Sequence, residues 1–206
     1  MVPSTQDRRT KRTITMIKEA LFGLMEEKSF SDISVIDITS RADINRGTFY
    51  LHYIDKFDML EKIENEILTE LQNNVGKIVP DLYFSGSSGE PNPCMVKLYK
   101  YFKNNSKSIN AILGPNGDPS FRIKLKKFME SNLLQIVSGF NTEAILVPEE
   151  YFISYIVSAH LGVIMQWLES DAENSPEEIA SILLKLFRLG PYKTSCNVLG
   201  PVKEDR

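Results

Sequence analysis

Apolar residues recur at intervals of three and four along most of the chain, a spacing that predicts helices and no strands. Ile14, Ile17, Leu21, Leu24 and Met25 form the stripe of an amphipathic first helix from about Arg9 to Lys28. Val35, Ile36, Ile38 and Ala42 mark a short second helix, with Ser34 at its N-cap and Asp37 complementing the dipole in its first turn. Ala42-Asp43-Ile44 reads as a tight turn, and Asn45 as the cap of another short helix opening on Arg46, Gly47 and Thr48. Asp55 then caps a long helix to about Val79, with Leu60, Ile63, Ile67, Leu68, Leu71 and Val75 inward and Pro80 closing it.

Glycine, serine and proline make Phe84 to Pro93 a surface loop, after which the helical period returns. Met95, Leu98, Tyr99 and Phe102 share one face of a helix. GPNGDP at 114–119 is a turn in which Asp118 caps a helix from Pro119 to about Gly139, with Arg122, Lys124, Lys126 and Lys127 on a solvated face. Phe152, Ile156, Ala159, His160, Val163, Ile164 and Trp167 make the helix after Pro148 apolar over more than one face. Ile179, Ile182, Leu183 and Leu186 give a last helix, Pro176 to about Leu189, a continuous stripe suited to pairing with a second copy. The expected class is all-α, a three-helix head and a larger helical body, with a disordered tail over 191–206.

Two short helices joined by a tight turn between Ser34 and Lys56 are the elements of a helix-turn-helix, in which the start of the second helix enters the DNA major groove. Charge bears on this reading. The 206-residue chain carries a net −3, but Met1 to Lys56 holds nine basic and eight acidic residues while the remainder holds fifteen and nineteen. The acidity thus lies in the body, and Arg8, Arg9, Lys11 and Arg12 form a basic cluster suited to phosphate or minor-groove contact. Lys18, Glu19, Glu26 and Glu27 interrupt the first apolar stripe, which argues against a signal peptide or a membrane span and makes the cytoplasm the expected location. Cys94 and Cys196 match no metal or redox spacing, so no metal site is expected. A helical enzyme is the remote alternative, since no phosphate loop, paired carboxylates or nucleophile arrangement stands out.

RGTFYLHYIDKFDML, residues 46–60, resembles the recognition-helix signature of the tetracycline-repressor (TetR) family of bacterial transcriptional regulators. In that signature a small pair precedes aromatic-aromatic-x-histidine-aromatic, with a lysine three residues on. The resemblance covers roughly Arg8 to Leu60, and ILGPNGDPSF at 112–121 is similar to part of the ligand domain in a Firmicute subgroup that includes regulators near dihydroxyacetone kinase operons. It implies a DNA-binding domain over 1–56 and an effector-binding and dimerisation domain over 57–190. Candidate DNA contacts are Arg8, Arg9, Arg12, Ser34, Asn45, Arg46, Gly47, Thr48, Tyr50, His52, Tyr53 and Lys56, with Phe49 left to the core. Tyr53 is the favoured phosphate donor among the aromatics, and Lys56 sits where a helix start also favours phosphate. A mostly apolar effector pocket could be lined by Tyr99, Phe102, Phe121, Phe128, Tyr151, Tyr155, Met165 and Trp167, with His160 and Gln166 as polar anchors. The implied partners are a palindromic double-stranded operator, a second copy of the chain and a small-molecule effector, with no cofactor and no membrane. A repressor is the leading expectation; an activator or a partner-dependent regulator would use the same head.

Overall fold

The computed structural model describes residues 5–75, 91, 93–138, 146–170 and 172–194, and every regular element among them is helical. In chain order these are α1 (Thr5–Glu27), a 3-10 turn (Phe30–Asp32), α2 (Val35–Arg41), α3 (Arg46–Tyr50) and α4 (Lys56–Val75). Then come α5 (Pro93–Asn104), α6 (Ser106–Leu113), α7 (Pro119–Val137), α8 (Glu149–Glu169) and α9 (Pro176–Thr194). The expected end of α4 beyond Val75, the loop at 84–90 and the tail beyond Thr194 lie outside the described residues. Two features were not anticipated. α1 starts at Thr5, about a turn before the expected Arg9, with Asp7 in its first turn, so Arg8 is helical along with the rest of the basic cluster. Asn105, at φ −112° and ψ 17°, breaks the helix after Phe102, and a new one restarts as α6.

Contacts divide the chain into two compact units, Met1–Glu70 with Asn105–Leu125, and Leu71–Asn104 with Lys126–Arg206. In the first, α1 packs on α2 and α6. Ile17, Leu21, Met25, Ile38, Phe49, Met59, Ile109, Ile112 and Phe121 are among its fully buried side chains. The GPNGDP turn is stapled into this unit: the Phe30 N–H donates to the Asn116 carbonyl at 2.8 Å, and the Asn116 amide donates to the Met25 carbonyl at 2.9 Å. Arg122 and Lys124 are exposed, as expected of a solvated face, and also hold partners in this unit. Arg122 Nε donates to the Leu113 carbonyl at 2.9 Å, and Lys124 pairs at 2.7 Å with Glu64, which is 1% exposed.

Glycine at 117 is required by close approach, since a Cβ there would stand 1.9 Å from the Ile112 carbonyl oxygen and 2.8 Å from that of Ala111. Both obstacles are backbone and cannot swing aside. Gly117→Ala should therefore destabilise the protein by about 1–3 kcal/mol, the range for overpacking.

In the second unit, α9 packs on α5 and α8, over a cluster of Leu133, Val137, Ile153, Ile156 and Val157 joined by Met129, Phe152 and Phe187. Tyr99 meets Trp167 edge-to-face at 6.2 Å. The α8–α9 turn is held by Lys103, which donates to the Ala172 and Asn174 carbonyls, and by Trp167 Nε1, which donates to the Asn174 carbonyl at 3.1 Å. Ser175 and Glu178 form the capping box that starts α9, and its regular part stops where Gly190 turns to φ 66° ahead of Pro191. By length and composition α8 alone among the described helices could cross a membrane; its face of Ile153, Ile156, Val157, His160, Ile164, Trp167 and Leu168 is taken up by this unit's interior.

Candidate nucleic-acid interface

The helix-turn-helix is built from local hydrogen bonds. Ser34 Oγ accepts from the Asp37 N–H at 3.1 Å, and the Asp37 carboxylate accepts from the Ser34 N–H at 2.8 Å and from Lys28 at 2.9 Å. The Ser34 amide, then Lys28 and the Ser34 hydroxyl hold the Asp37 carboxyl down at a pKa of about 2. The helix end is equally explicit. The Ile44 N–H donates to the Thr39 carbonyl at 3.0 Å and the Asp43 N–H to Ser40 at 3.3 Å, the two bonds of a Schellman turn. Asp43 takes the left-handed position at φ 52°, which aspartate tolerates better than most residues. Asn45 Oδ1 accepts from the Gly47 N–H at 2.8 Å and starts α3 as the sequence predicts, and Asp55 caps α4 through the Phe57 and Asp58 amides.

The structure sorts the candidate contacts. Arg8, Arg9 and Arg12 are exposed on the first turns of α1, with Arg8 and Arg12 one turn apart on one face. Asn45, Arg46, Gly47 and Tyr50 are exposed on and beside α3, Thr48 is half-buried, and Phe49 is fully buried, as assigned. Arg46 donates to the Tyr50 hydroxyl at 3.3 Å with its guanidinium carbon 6.0 Å from that ring. Ser34 is exposed, but its hydroxyl is occupied on both sides by Asp37. Half-buried His52 lies beside the Tyr53 ring, and its carbonyl accepts from Lys62 at 3.2 Å.

Two assignments need correction. Tyr53 is 5% exposed, packed against Phe49 at 5.4 Å, and burial followed by the charges of Glu66 and Asp58 pushes its hydroxyl pKa up to about 12. It is a core side chain at the edge of a groove of about 580 Å³ that Ile14, His52, Lys62 and Glu66 also line, not a phosphate donor. Lys56 is the larger surprise. Its ammonium donates to the carbonyls of Phe30 at 2.9 Å, Ser31 at 2.7 Å and Ile33 at 2.6 Å, between the Phe30 and Phe57 rings at 5.0 and 5.2 Å. An ammonium has three protons, and all three are used. Lys56 thus fastens the turn that leads into α2 instead of reaching outward.

The expected pocket residues do not come together as a group. Tyr99, Phe102, His160 and Trp167 are buried in the second unit, but Phe121 belongs to the core of the first. Tyr155, at 54% exposed, Tyr151 and Gln166 point outward on α8, while Phe128 and Met165 are half-buried. Surface position on a helix depends on which neighbour it meets, and α8 leaves this face uncovered. A groove of about 580 Å³ in the second unit is lined by Lys127, Glu130, Ser131, Leu134, Glu149, Glu150 and Ile153, none of them among the ten. His160 Nδ1 lies 3.0 Å from the Ile156 carbonyl, and burial holds its pKa below the ordinary value, so the ring is neutral at pH 7.

A family model for the C-terminal region of transcriptional regulators, of the TetR type, matches residues 89–189. The chain is 22% identical over 172 residues to YxbF of Bacillus subtilis strain 168, an HTH-type transcriptional regulator. That alignment covers 82% of this chain and 43% of the relative, so the chain spans less than half the relative's length. Among solved structures, a TetR transcriptional regulator from Streptococcus agalactiae 2603V superposes with a TM-score of 0.60 at 23% identity, covering 88% of this chain and 96% of that one. The dihydroxyacetone kinase operon activator DhaS gives 0.55 at 20% identity, with 84% and 93% covered. FadR from Bacillus subtilis, solved with stearoyl-CoA, gives 0.55 at 13% identity, with 84% and 96% covered. The signature at residues 46–60 and the match over 89–189 lie in different parts of the chain and agree with the likeness in fold: in these stretches the chain is similar to transcriptional regulators of the TetR type.

Proposed function

We propose that this regulator is a ligand-responsive repressor that binds a palindromic operator as a homodimer in the cytoplasm and has no enzymatic activity. DNA contact falls to residues 1–56 in this reading, and effector binding and pairing to 57–190. The observation that carries it is the preorganised helix-turn-helix, whose α3 is capped at its start, anchored by Phe49 and exposed along Arg46, Gly47 and Tyr50. Selection of duplexes from a random library tests it. Enrichment of an inverted repeat with half-sites one helical turn apart is expected, and the absence of any enriched sequence would overturn the reading. Transcription from a promoter carrying that repeat should fall when the protein is added; a rise would make it an activator.

Pairing is assigned to the open face of α8, where Tyr151, Tyr155, Ser158, Ala159 and Gly162 are all exposed and the small residues admit a close helix. Leu183 does not report on this face, because it is 4% exposed within one protomer and a charge there would disturb folding first. Gly162→Trp is the better probe, since nothing lies within 4 Å of its Cβ direction. It should give helical monomers in light scattering and lower operator affinity by about 100-fold or more, as avidity is lost. A dimer of unchanged affinity would move the interface elsewhere.

Effector binding is assigned to the second unit, whose interior holds the buried Tyr99, Phe102 and Trp167 and the neutral imidazole of His160. A coupling of about 1–3 kcal/mol would change operator affinity by about 5- to 150-fold, and the operator would weaken effector binding by the same factor. Thermal-shift screening that includes long-chain acyl-CoA, followed by calorimetry with and without operator, tests both directions. Equal effector affinity in the two titrations would eliminate the coupling.

A further inference from the structure

We propose that Arg46 is the residue through which each recognition helix reads a guanine, and that Tyr50 is the positioning residue that holds its guanidinium ready. The inference rests on the DNA-binding reading above and goes beyond it to the base that is read. From Lys28 to Lys56 the chain has four cationic side chains, Lys28, Arg41, Arg46 and Lys56. Three are engaged internally. Lys28 pairs with Asp37 at 2.9 Å, Arg41 with Glu27 at 2.6 Å, and Lys56 donates to three carbonyls. Arg46 has neither a carboxylate nor a carbonyl among its described partners; it is exposed and rests on the Tyr50 hydroxyl and ring.

Three other polar groups of the candidate set are committed or buried. The Asn45 carbonyl oxygen caps α3, so a two-point contact with adenine would break the cap; the Ser34 hydroxyl is bonded to Asp37, and Tyr53 is buried. Arginine is the side chain whose planar fork matches guanine O6 and N7 in the major groove, and a guanidinium carrying no ion pair gives up little on binding there. Gly47, next to it, meets only Asn45 Oδ1 at 3.4 Å along its Cβ direction, so the helix backbone presents no side chain between Arg46 and a base edge.

The test compares wild type, Arg46→Lys, Arg46→Ala and Tyr50→Phe in selection from a random duplex library, followed by titrations on single-substituted duplexes. Wild type should enrich a guanine at one fixed position in each half-site. Arg46→Lys keeps the charge but loses the fork, so its preference for that guanine over adenine should fall by about 5- to 150-fold while the salt dependence stays as in wild type. Placing 7-deazaguanine there should weaken wild type and leave Arg46→Ala unaffected. Tyr50→Phe should reduce affinity in the wild-type background and not in Arg46→Ala, with thermal melting unchanged, which a purely structural tyrosine would not do. The proposal is overturned if Arg46→Lys retains full guanine preference while Arg46→Ala lowers the salt slope by about one unit, the behaviour of a phosphate contact. Failure of wild type to enrich any sequence would overturn both this assignment and the regulator reading.

Discussion

Lys56→Met should lower the melting temperature by roughly 6–12 °C, a loss of about 3 kcal/mol, and should leave the salt dependence of operator binding unchanged. Methionine keeps most of the aliphatic stem but has no donor, so the carbonyls of Phe30, Ser31 and Ile33 lose a shared charge-assisted partner. Hydrogen bonds to charged groups contribute about 1.5–3 kcal/mol each, but they are not additive here because water can reach the exposed Ser31 carbonyl. Affinity should fall because the turn before α2 loosens. Its electrostatic slope should not, because the ammonium faces inward. Thermal denaturation with binding titrations over a salt series separates the two, and a slope reduced by about one unit at unchanged melting temperature would restore Lys56 to the phosphates.

Lys124→Met should destabilise the protein by about 3 kcal/mol at neutral pH, and mild acid should restore part of the loss. Glu64 is 1% exposed, Oε2 takes the Lys124 ammonium at 2.7 Å, and Oε1 has no hydrogen-bond partner among the described residues. Removing Lys124 leaves a buried carboxylate uncompensated; the figure sits at the low end for broken buried pairs because Lys124 is itself 46% exposed and loses little solvation by pairing. Burial raises the Glu64 pKa above its ordinary 4.5, against the lowering effect of Lys124. A raised folded pKa means that the folded state holds the proton more tightly, so its stabilising effect is complete below 4.5 and fades as the pH climbs through the folded value. Without Lys124 that value rises further. The deficit of the variant should therefore grow from pH 5 to pH 8, and adding Glu64→Gln should flatten the difference. A deficit independent of pH would place the cost in packing instead.

Much of the head was legible from local chemistry. Ser34 with Asp37, Asn45 before Arg46, and Asp55 before Phe57 act within a few residues, and each cap occurs where the sequence places it because its donors and acceptors are supplied by the adjacent turn. The stop at Gly190 is local for the same reason, since only backbone conformation is at stake. α6 escaped notice because the Asn105 break interrupts a stripe that is otherwise continuous.

Long side chains were a different matter. Lys56, Arg122 and Lys124 look from the sequence like solvated or ligand-facing cations, and the family resemblance gives Lys56 a phosphate. Their reach of several ångströms lets each choose partners beyond its own helical turn: carbonyls 23 to 26 residues earlier for Lys56, a carbonyl nine residues earlier for Arg122, and a carboxylate 60 residues earlier for Lys124. The same holds for aromatic residues. Tyr53 was read as a phosphate donor and Phe121 and Tyr155 as pocket residues, but only packing against neighbours made the first two core and left the third open. Helix position and capping follow from interactions spanning about one turn and are written in the sequence. Which cation remains free for DNA, and which face remains free for a partner, depends on contacts that exist only once distant segments have met.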